Sequence, residues 1–370
     1  MIKPILPVFI TMLGGGGLAV GGIGGLTESV SSLLKVFSGY WSDRIRRRKP
    51  FMLLGYLVSA AAKMLFPLSS AWQHLLALMP VERVGKGLRG APRDALIAAS
   101  VHESGRGRGF GFHRAMDSAG AIVGALAAYV LVTGADLPVR SILLAGAVIA
   151  FAAVAPVFAV REKRRREDQT ESSRPRLSGL PHSFYRFLIA ATVFGLGNFS
   201  YMFLILRAAD VFGPARSLGL TILLYVLINV AYAGLAIPAG VLSDRIGRRK
   251  VLFMGYGLFA ITCLGLALAR GWPELILLFA LYGGFRALTD GPQRALVSDL
   301  VPAEVRGTAL GAFHTATGLA ALPASLVGGV LWQMAPRWTF LYGAVLGLTA
   351  AVLLALLGRT SGSPEPQNSA

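Results

Sequence analysis

Long apolar runs alternate with short polar turns along most of this chain of 370 residues. A helix needs about 20 mostly apolar residues to cross a bilayer, because the hydrocarbon core is about 30 Å thick. The segment from Ile2 to Thr11 is apolar but too short to span, so we expect the chain to begin inside a first helix. Eleven later runs are long enough and predict spanning helices, at residues 17–39, 50–69, 74–98, 109–133, 140–160, 184–206, 217–239, 250–269, 274–298, 307–333 and 338–358.

The chain carries one kind of charged turn twice, each copy between two apolar runs. The copies begin at Gly39 and Gly240, which lie 201 residues apart. Further identities follow at an offset of 200, among them Pro92 with Pro292. Internal duplication of this kind is typical of membrane transporters built from two similar halves.

We therefore expect an all-α integral membrane protein with two pseudo-symmetric six-helix halves, eleven complete spans and a partial first helix. Both copies keep the same order, so an axis along the membrane normal should relate the halves, with a site between them near the midplane. The predicted divisions are an N-terminal transmembrane half at 1–160, a cytoplasmic linker at 161–183, a C-terminal transmembrane half at 184–358 and a disordered cytoplasmic tail at 359–370.

The net charge of +18 is distributed in short bursts between the apolar runs. Basic residues that flank membrane helices on the cytoplasmic side give this distribution, so no nucleic-acid partner is needed to explain it. The turns after Gly39 and Gly240 and the linker are basic, whereas the alternate loops hold few charges. We therefore expect a multi-pass protein of the bacterial inner membrane, in contact with lipid, with its basic loops and C-terminus in the cytoplasm.

The sequence contains no motif for a cofactor, a metal site or catalysis. The single cysteine, Cys263, and the five scattered histidines lack ligand-like spacing. The segment 85–90 fits the glycine pattern of dinucleotide-binding turns, but it lies inside an apolar run and follows no strand. No Walker sequence occurs. We therefore predict a protein that is not an enzyme, needs no cofactor and is not an ATP-driven pump on this chain alone.

The duplicated turn resembles the signature of the major facilitator superfamily, Gly-x-x-x-Asp-Arg-x-Gly-Arg-Arg-Lys. The copy at Gly240 matches throughout, and the copy at Gly39 has Arg46 at the second glycine position. The segment 83–87 resembles the family's Arg-x-x-x-Gly motif, whose arginine is associated with proton coupling. The stretch 82–94 also resembles a bacterial subgroup related to tetracycline and multidrug exporters. The resemblance covers essentially the whole chain and implies a secondary transporter.

The resemblance implies that the two turns form a cytoplasmic gate. A carboxylate at a helix end can accept charge-assisted bonds from arginine or from backbone N–H groups, and contacts made in only one state would gate access. Simple topology, in which the basic residues only fix orientation, is the other interpretation. The gate candidates are the glycines and charged residues of both turns: Gly39, Asp43, Arg44, Arg47, Arg48, Lys49, Gly240, Asp244, Arg245, Gly247, Arg248, Arg249 and Lys250.

Charged residues inside the apolar runs are the candidates for transport chemistry. Each costs about 2.5–3.5 kcal/mol on insertion scales, so it should face a cavity or another charge. Helical spacing predicts a self-neutralising cluster on two consecutive helices, formed by Glu82, Lys86, Arg89, Arg114 and Asp117. Its carboxylates either carry a proton during transport or belong to a permanent salt-bridge lattice. The proton-coupling candidates are Glu82, Arg83, Asp117 and Glu28.

A second group of polar residues is predicted to line a substrate cavity. Arg286 aligns with Lys86 across the repeat, and basic residues at equivalent points would frame an anionic or zwitterionic substrate or satisfy helix-end carbonyls. Two asparagines lie in apolar runs, where hydrogen bonds between helices are the commoner use. The cavity candidates are Lys86, Arg89, Arg114, Arg286, Asp290, Asn198 and Asn229.

We expect a monomeric secondary transporter that exports a small organic solute, coupled to protons, by alternating access. This choice of direction rests on the resemblance. Proton-coupled uptake or exchange of a small anion or metabolite is the alternative, favoured by the intramembrane arginines and by Ala125, which stands after Gly124 where exporters of the family have proline. From another class, a non-transporting membrane sensor and an inactive truncated remnant stay open.

Overall fold

The computed structural model describes residues 1–45, 48–100, 106–159, 180–213, 217–302 and 305–359, and every regular element in these ranges is a helix. Residues 160–179 of the expected linker and 360–370 of the expected tail lie outside the described residues. In chain order the helices are α1 (Ile2–Met12), α2 (Gly17–Ile45), α3 (Lys49–Leu65), α4 (Trp72–Ser100), α5 (Arg106–Thr133), α6 (Val139–Ala152), α7 (Ala155–Ala159), α8 (His182–Gly197), α9 (Met202–Phe212), α10 (Ser217–Ile246), α11 (Arg248–Leu268), α12 (Trp272–Asp299), α13 (Arg306–Met334) and α14 (Pro336–Arg359).

Helices long and apolar enough to cross a membrane account for most of the predicted spans. The runs in α2, α4 and α12 form helices of 29, 29 and 28 residues, but charged side chains lower their hydropathy. The helix α1 is apolar and too short to span, as expected. Within the described ranges, eight segments are long and apolar enough to cross a membrane: Lys49–Leu68, Met116–Thr133, Val139–Ala159, His182–Phe212, Leu218–Ile246, Arg248–Leu268, Arg306–Met334 and Pro336–Leu356.

The two ends of the bundle differ in charge. The Lys49 ammonium donates to the Phe158 carbonyl at 2.8 Å, which joins the start of α3 to α7. Gly247 joins α10 to α11, and the basic residues 248–250 begin α11 at the same end. We call this the basic end. The opposite, far end holds the connection after α3, where Arg140 of α6 donates to the Pro67 carbonyl at 2.5 Å.

The structure corrects two predicted spans, because both are interrupted. The run 184–206 is broken between Gly197, where α8 ends, and Met202, where α9 begins. The run 140–160 is interrupted between α6 and α7. Both stretches stay apolar across the interruption, so hydropathy does not predict it.

Side chains of two other helices satisfy the backbone at the break between α8 and α9. The Ser200 N–H donates to the Ser325 hydroxyl of α13 at 3.1 Å. The Tyr342 hydroxyl of α14 donates to the Leu196 carbonyl at 2.6 Å. An unsatisfied backbone group costs several kcal/mol inside a bilayer, so these two partners explain why the break is tolerated.

The two segments on either side of the break in the predicted span 184–206 contact different helices. The helix α8 packs against α13 and α14, whereas α9 packs against α1, α2 and α10. In addition, α2 lies along α13, and α5 packs against α10. These contacts join the first part of the sequence to the second.

The helices α2 and α13 approach to backbone contact. A methyl group on Gly21 would overlap the Ser325 carbonyl oxygen. The Ser29 hydroxyl donates to the Gly318 carbonyl at 2.6 Å, near the middle of α13. Small residues are the usual means by which membrane helices come this close. The contact therefore runs from the far end to about half the depth of the bundle.

We predict that Gly21→Ala destabilises the protein, because the added methyl group forces α2 away from α13. Overpacking of this kind costs about 1–3 kcal/mol. Gly22→Ala is the matched control, since its methyl group would lie 3.8 Å from the Leu326 side chain, which is an ordinary contact. Thermal unfolding in detergent compares the two variants. Equal midpoints would contradict the close contact at Gly21.

We predict that Tyr342→Phe loosens the break between α8 and α9, because it leaves the Leu196 carbonyl without its hydrogen bond. The loss of one partner of a buried pair costs about 1–3 kcal/mol. Amide hydrogen exchange of the peptide around the break should become faster. Tyr129→Phe is the control, because its ring packs on Gly219 and its hydroxyl makes no hydrogen bond within the described residues. Unchanged exchange in Tyr342→Phe would refute the prediction.

Candidate functional site

The carboxylate of Glu82 on α4 is buried and meets three groups. Its Oε1 accepts hydrogen bonds from Lys63 Nζ at 2.7 Å and from the Ser59 hydroxyl at 2.9 Å, both on α3. Its Oε2 lies 3.3 Å from Arg83 Nε. One carboxylate therefore faces two cations, and charge-assisted hydrogen bonds such as that from Lys63 are the strong ones.

The cluster predicted on α4 and α5 is wrong in its partners. Among the four members whose side chains are described no ion pair occurs, and the Arg114 side chain lies outside the description. The Arg89 guanidinium instead lies over the Tyr56 ring, 4.2 Å from its centre. The Asp117 side chain is 61% exposed, with His113 Nε2 4.0 Å from its carboxylate.

Depth along the bundle explains this correction. Glu82 follows Trp72, the far-end start of α4, by ten residues, whereas Asp117 precedes Thr133, the far-end limit of α5, by sixteen. With a rise of about 1.5 Å per residue, the two carboxylates differ in depth by about 9 Å. The expected cluster required Glu82 and Asp117 to lie at similar depths. The structure does not place them so, and Glu82 pairs with α3 instead.

Arg83 lies between α2, α4 and the break before α9. Its side chain is buried, and its Nε has no hydrogen-bond partner in the part of the chain that the structure describes. Electrostatic interactions connect its guanidinium to Glu28 on α2, to Tyr201 before α9 and to Tyr225 on α10. A cation of the first half of the sequence therefore faces tyrosines of the second.

Lys86 adds positive charge to the same region. It interacts electrostatically with Arg83, Lys3 and Glu28. The Tyr201 hydroxyl donates to the Lys3 carbonyl at 3.2 Å, which brings α1 to the same place. We call six charged residues the central polar group: Lys3, Glu28, Lys63, Glu82, Arg83 and Lys86. With four cations and two carboxylates, this group has an excess of positive charge.

A second polar group lies on α12. Arg286 Nη2 lies 3.2 Å from Asp290 Oδ2, and the guanidinium lies over the Tyr232 ring at 4.8 Å from its centre. Tyr282 is buried and interacts electrostatically with Arg286 and with Glu28. The interaction of Tyr282 with Glu28 therefore connects the α12 group to the central polar group.

The two asparagines differ in their surroundings. Asn198 is the first residue after α8 and lies in the break, where its N–H donates to the Phe194 carbonyl at 2.9 Å. Asn229 is buried and its side-chain amide donates to the Tyr225 carbonyl at 2.8 Å, within α10. In this structure the Asn229 amide serves its own helix, so only Asn198 lies at an irregular part of the backbone.

The second basic turn is built around Arg248. Its Nη1 lies 2.8 Å from Asp244 Oδ1, and its Nε donates to Asp299 Oδ2 at 2.5 Å. Asp299 closes α12, so the pair ties α11 to the end of α12. Gly247 between α10 and α11 has φ +98°, a conformation that favours glycine. The groove beside these residues has a volume of about 560 Å³.

Some of the remaining gate candidates are exposed or half-buried, and the side chains of the others are not described by the structure. Arg245 and Lys250 are exposed, and Gly240, Arg249 and Arg48 are half-buried. In the first copy, four candidates carry no described side-chain geometry: Gly39, Asp43, Arg44 and Arg47.

Sequence reasoning missed Lys63, Tyr201 and Asp299. Lys63 is an ionisable residue inside an apolar run, and the rule that singled out Glu82 would have found it. Tyr201 gives no such signal, because a tyrosine in an apolar run is ordinary. Asp299 lies at a helix end, where charges are common, so only the three-dimensional pairing with Arg248 distinguishes it.

Comparisons with known proteins agree on one family. The sequence model of the Major Facilitator Superfamily matches residues 1–229 and 187–370. An uncharacterised MFS-type transporter of Methanocaldococcus jannaschii is 44% identical over 357 residues, which cover 96% of this chain and 89% of that protein. The multidrug resistance protein MdtH of Edwardsiella ictaluri is 32% identical over 127 residues, covering 34% of this chain and 31% of that protein. The crystal structure of the nucleoside transporter NupG superposes with a TM-score of 0.74 at 14% identity, covering 96% of this chain and 93% of that one.

We predict that Asp290→Cys reacts with a charged maleimide much faster than Thr289→Cys. The Asp290 side chain is 36% exposed beside the central polar group, whereas the neighbouring Thr289 is 2% exposed. The only native cysteine, Cys263, is 1% exposed and sets a low background. Similar labelling rates for the two variants would show that water does not reach the polar face of α12.

Proposed function

Because the chain belongs to the Major Facilitator Superfamily, it is an MFS-type transporter and a multi-pass membrane protein, and we propose that it exports a small organic solute in exchange for protons. The solute would bind between the central polar group and the Arg286–Asp290 pair of α12. Access would alternate between the basic end and the far end.

The packing of the helices supports alternating access. The contact of α2 with α13 reaches from the far end to about the middle of the bundle, and Gly219 of α10 lies against Thr133 of α5 at the far end. The excess of Lys and Arg in the turns supports a cytoplasmic basic end. In the other state, the far-end contacts would open and the basic turns would close, with Arg248 and its two aspartates as part of the gate.

The arrangement around Glu82 is the observation that carries proton coupling. In export, the solute would bind while the Glu82 carboxylate is ionised. Protonation of Glu82 from the far end would remove its negative charge beside Arg83 and release the solute, and loss of the proton at the basic end would restore the ionised site. Glu28, which interacts with Arg83 from α2, is a second carrier. Asp117 is an exposed alternative, and within the described residues the group at ion-pair distance from it is His113.

The excess of positive charge favours a second candidate function, the proton-coupled uptake or exchange of a small anion. Lys86 interacts electrostatically with two other cations of the central polar group, Arg83 and Lys3, and with Glu28. A solute with a carboxylate or phosphate would balance them. Export is supported by the partial likeness to a multidrug resistance protein, which covers about a third of this chain.

Proton movement in everted membrane vesicles tests both candidates. The vesicles are acidified, a pH-sensitive dye reports their interior, and cationic, neutral and anionic solutes are added in turn. We expect at least one solute to release protons, and Glu82→Gln to abolish this release because its side chain cannot carry the proton. Asp117→Asn tests the alternative carrier.

Asp136→Asn is the control, because Asp136 is exposed in the connection between α5 and α6 and its backbone conformation suits asparagine. Further acidification of the interior by anionic solutes, which would enter together with protons, would favour the second candidate. Normal release in Glu82→Gln would remove Glu82 from the mechanism. Silence with every solute, while the protein is present in the membrane, would contradict proton-coupled export.

A further inference from the structure

Lys63 is an ionisable residue in the last turn of α3, within the apolar span Lys49–Leu68, and the function proposed so far gives it no role of its own. Its side chain is only 18% exposed, and within the described residues its ammonium is bound by α3 and α4. Ionisable residues inside membrane spans are costly and usually functional. We therefore expect this ammonium to have a role of its own.

The close packing of α3 on α4 brings Lys63 to Glu82. A methyl group on Gly55 would lie 2.6 Å from the Gly85 carbonyl oxygen, so the two backbones touch there. Ser59 and Lys63 follow Gly55 by four and eight residues and share its face, since i, i+4 positions lie above one another on a helix. Glu82 precedes Gly85 by three residues and faces them.

The two oxygens of Glu82 have different partners. Lys63 Nζ donates to Glu82 Oε1 at 2.7 Å and to the Ser59 hydroxyl at 2.6 Å, and Ser59 donates to the same Oε1 at 2.9 Å. Oε2 faces Arg83 Nε at 3.3 Å without a hydrogen bond. The α3 side therefore fixes one oxygen, and the other is left facing Arg83.

The packing of these helices does not itself require the charges. At the positions 200 residues later, the pair α11 and α12 holds Phe259, Cys263 and Tyr282, all buried and neutral. These two helices also pack closely, since a methyl group on Gly255 would lie 2.7 Å from the Thr289 side chain. At these positions the equivalent helix pair packs closely without an ion pair, and the ion pair described between its two helices, Arg248 with Asp299, lies at the basic end. Close packing here therefore does not by itself call for the charges of Lys63 and Glu82.

We propose that Lys63 is a positioning residue for proton coupling. It holds Glu82 by Oε1, so that Oε2 either faces Arg83 as a carboxylate oxygen or carries a proton. This inference rests on the proposed role of Glu82. In the step, a proton from water forms an O–H bond with Oε2, and Arg83 turns from Glu82 towards Glu28 and Tyr201. The reverse step returns the proton to water on the other side, and Lys63 keeps its charge throughout.

The charges around Glu82 come from several helices. Any test of pH dependence must hold them constant. On α3 the facing group is Lys63, on α2 it is Glu28, and on α5 Asp117 reaches Arg89. On α4 itself the neighbouring cations are Arg83, Lys86 and Arg89.

Infrared difference spectroscopy of the protein in lipid nanodiscs, titrated with pH, tests the inference without transport. A protonated carboxyl group has a C=O band separate from the carboxylate bands, and Glu82→Gln identifies the band of Glu82. We expect Lys63→Met to raise the pH at which this band disappears by about one unit, because one of two adjacent cations is lost. Lys63→Arg should titrate like the wild type.

Arg270→Met is the control, because Arg270 is exposed at the far end, away from the central polar group. If Lys63→Met does not fold, Ser59→Ala replaces it, with a smaller shift expected in the same direction. A Glu82 band that titrates identically in these variants and the wild type would overturn the inference.

The outcomes also separate the inference from the proposed function. If the Glu82 band moves in Lys63→Met and the pH profile of solute-driven proton release moves with it, both stand. If Glu82→Gln still couples protons to the solute, the proposed function of Glu82 fails and the positioning role fails with it. If coupling needs Glu82 but the band does not move in Lys63→Met, only the inference about Lys63 fails.

Discussion

Inside an apolar helix bundle, polar groups must find their partners within the protein, and the main features of this chain follow from that constraint. The carbonyl freed by the break after α8 receives the hydroxyl of Tyr342, and the freed N–H meets Ser325. The buried Glu82 meets Lys63 from the neighbouring helix. At the α8–α9 break and at Glu82, the departure from a plain apolar helix is thus matched by a side chain on another helix, which fixes the relative position of the two.

The same constraint separates what the sequence could predict from what it could not. Apolar length and helical period are local properties, so the helices and the duplicated turn could be predicted. The break at 198–201 depends on Ser325 and Tyr342, which lie more than 100 residues away in the chain. The partners of Glu82 depend on how α3 and α5 pack beside α4, which counting residues along each helix does not give. For this reason the expectation that Glu82 and Asp117 lie at similar depths was wrong, whereas the importance of Glu82 as a buried charge was visible.

The duplicated helices carry different side chains at equivalent positions. Tyr56 lies under the Arg89 guanidinium, whereas Tyr256, 200 residues later, stacks on Phe194 with a centroid distance of 4.0 Å and accepts a hydrogen bond from Gln293 at 2.9 Å. The charged Lys63 and Glu82 likewise correspond to the neutral Cys263 and Tyr282, whereas Lys86 has a basic counterpart in Arg286. A solute between the two parts would therefore meet most of its charged partners on one side and tyrosines on the other.

The excess of positive charge in the central polar group has a consequence for energetics across a polarised membrane. The four cations and two carboxylates carry a formal charge of +2, and a proton on Glu82 would raise it to +3. Moving one elementary charge through the full potential changes the free energy by about 2.3 kcal/mol per 100 mV. A carrier that changed its accessibility empty would therefore feel the membrane voltage, whereas one that carried a divalent anion would be nearly indifferent to it.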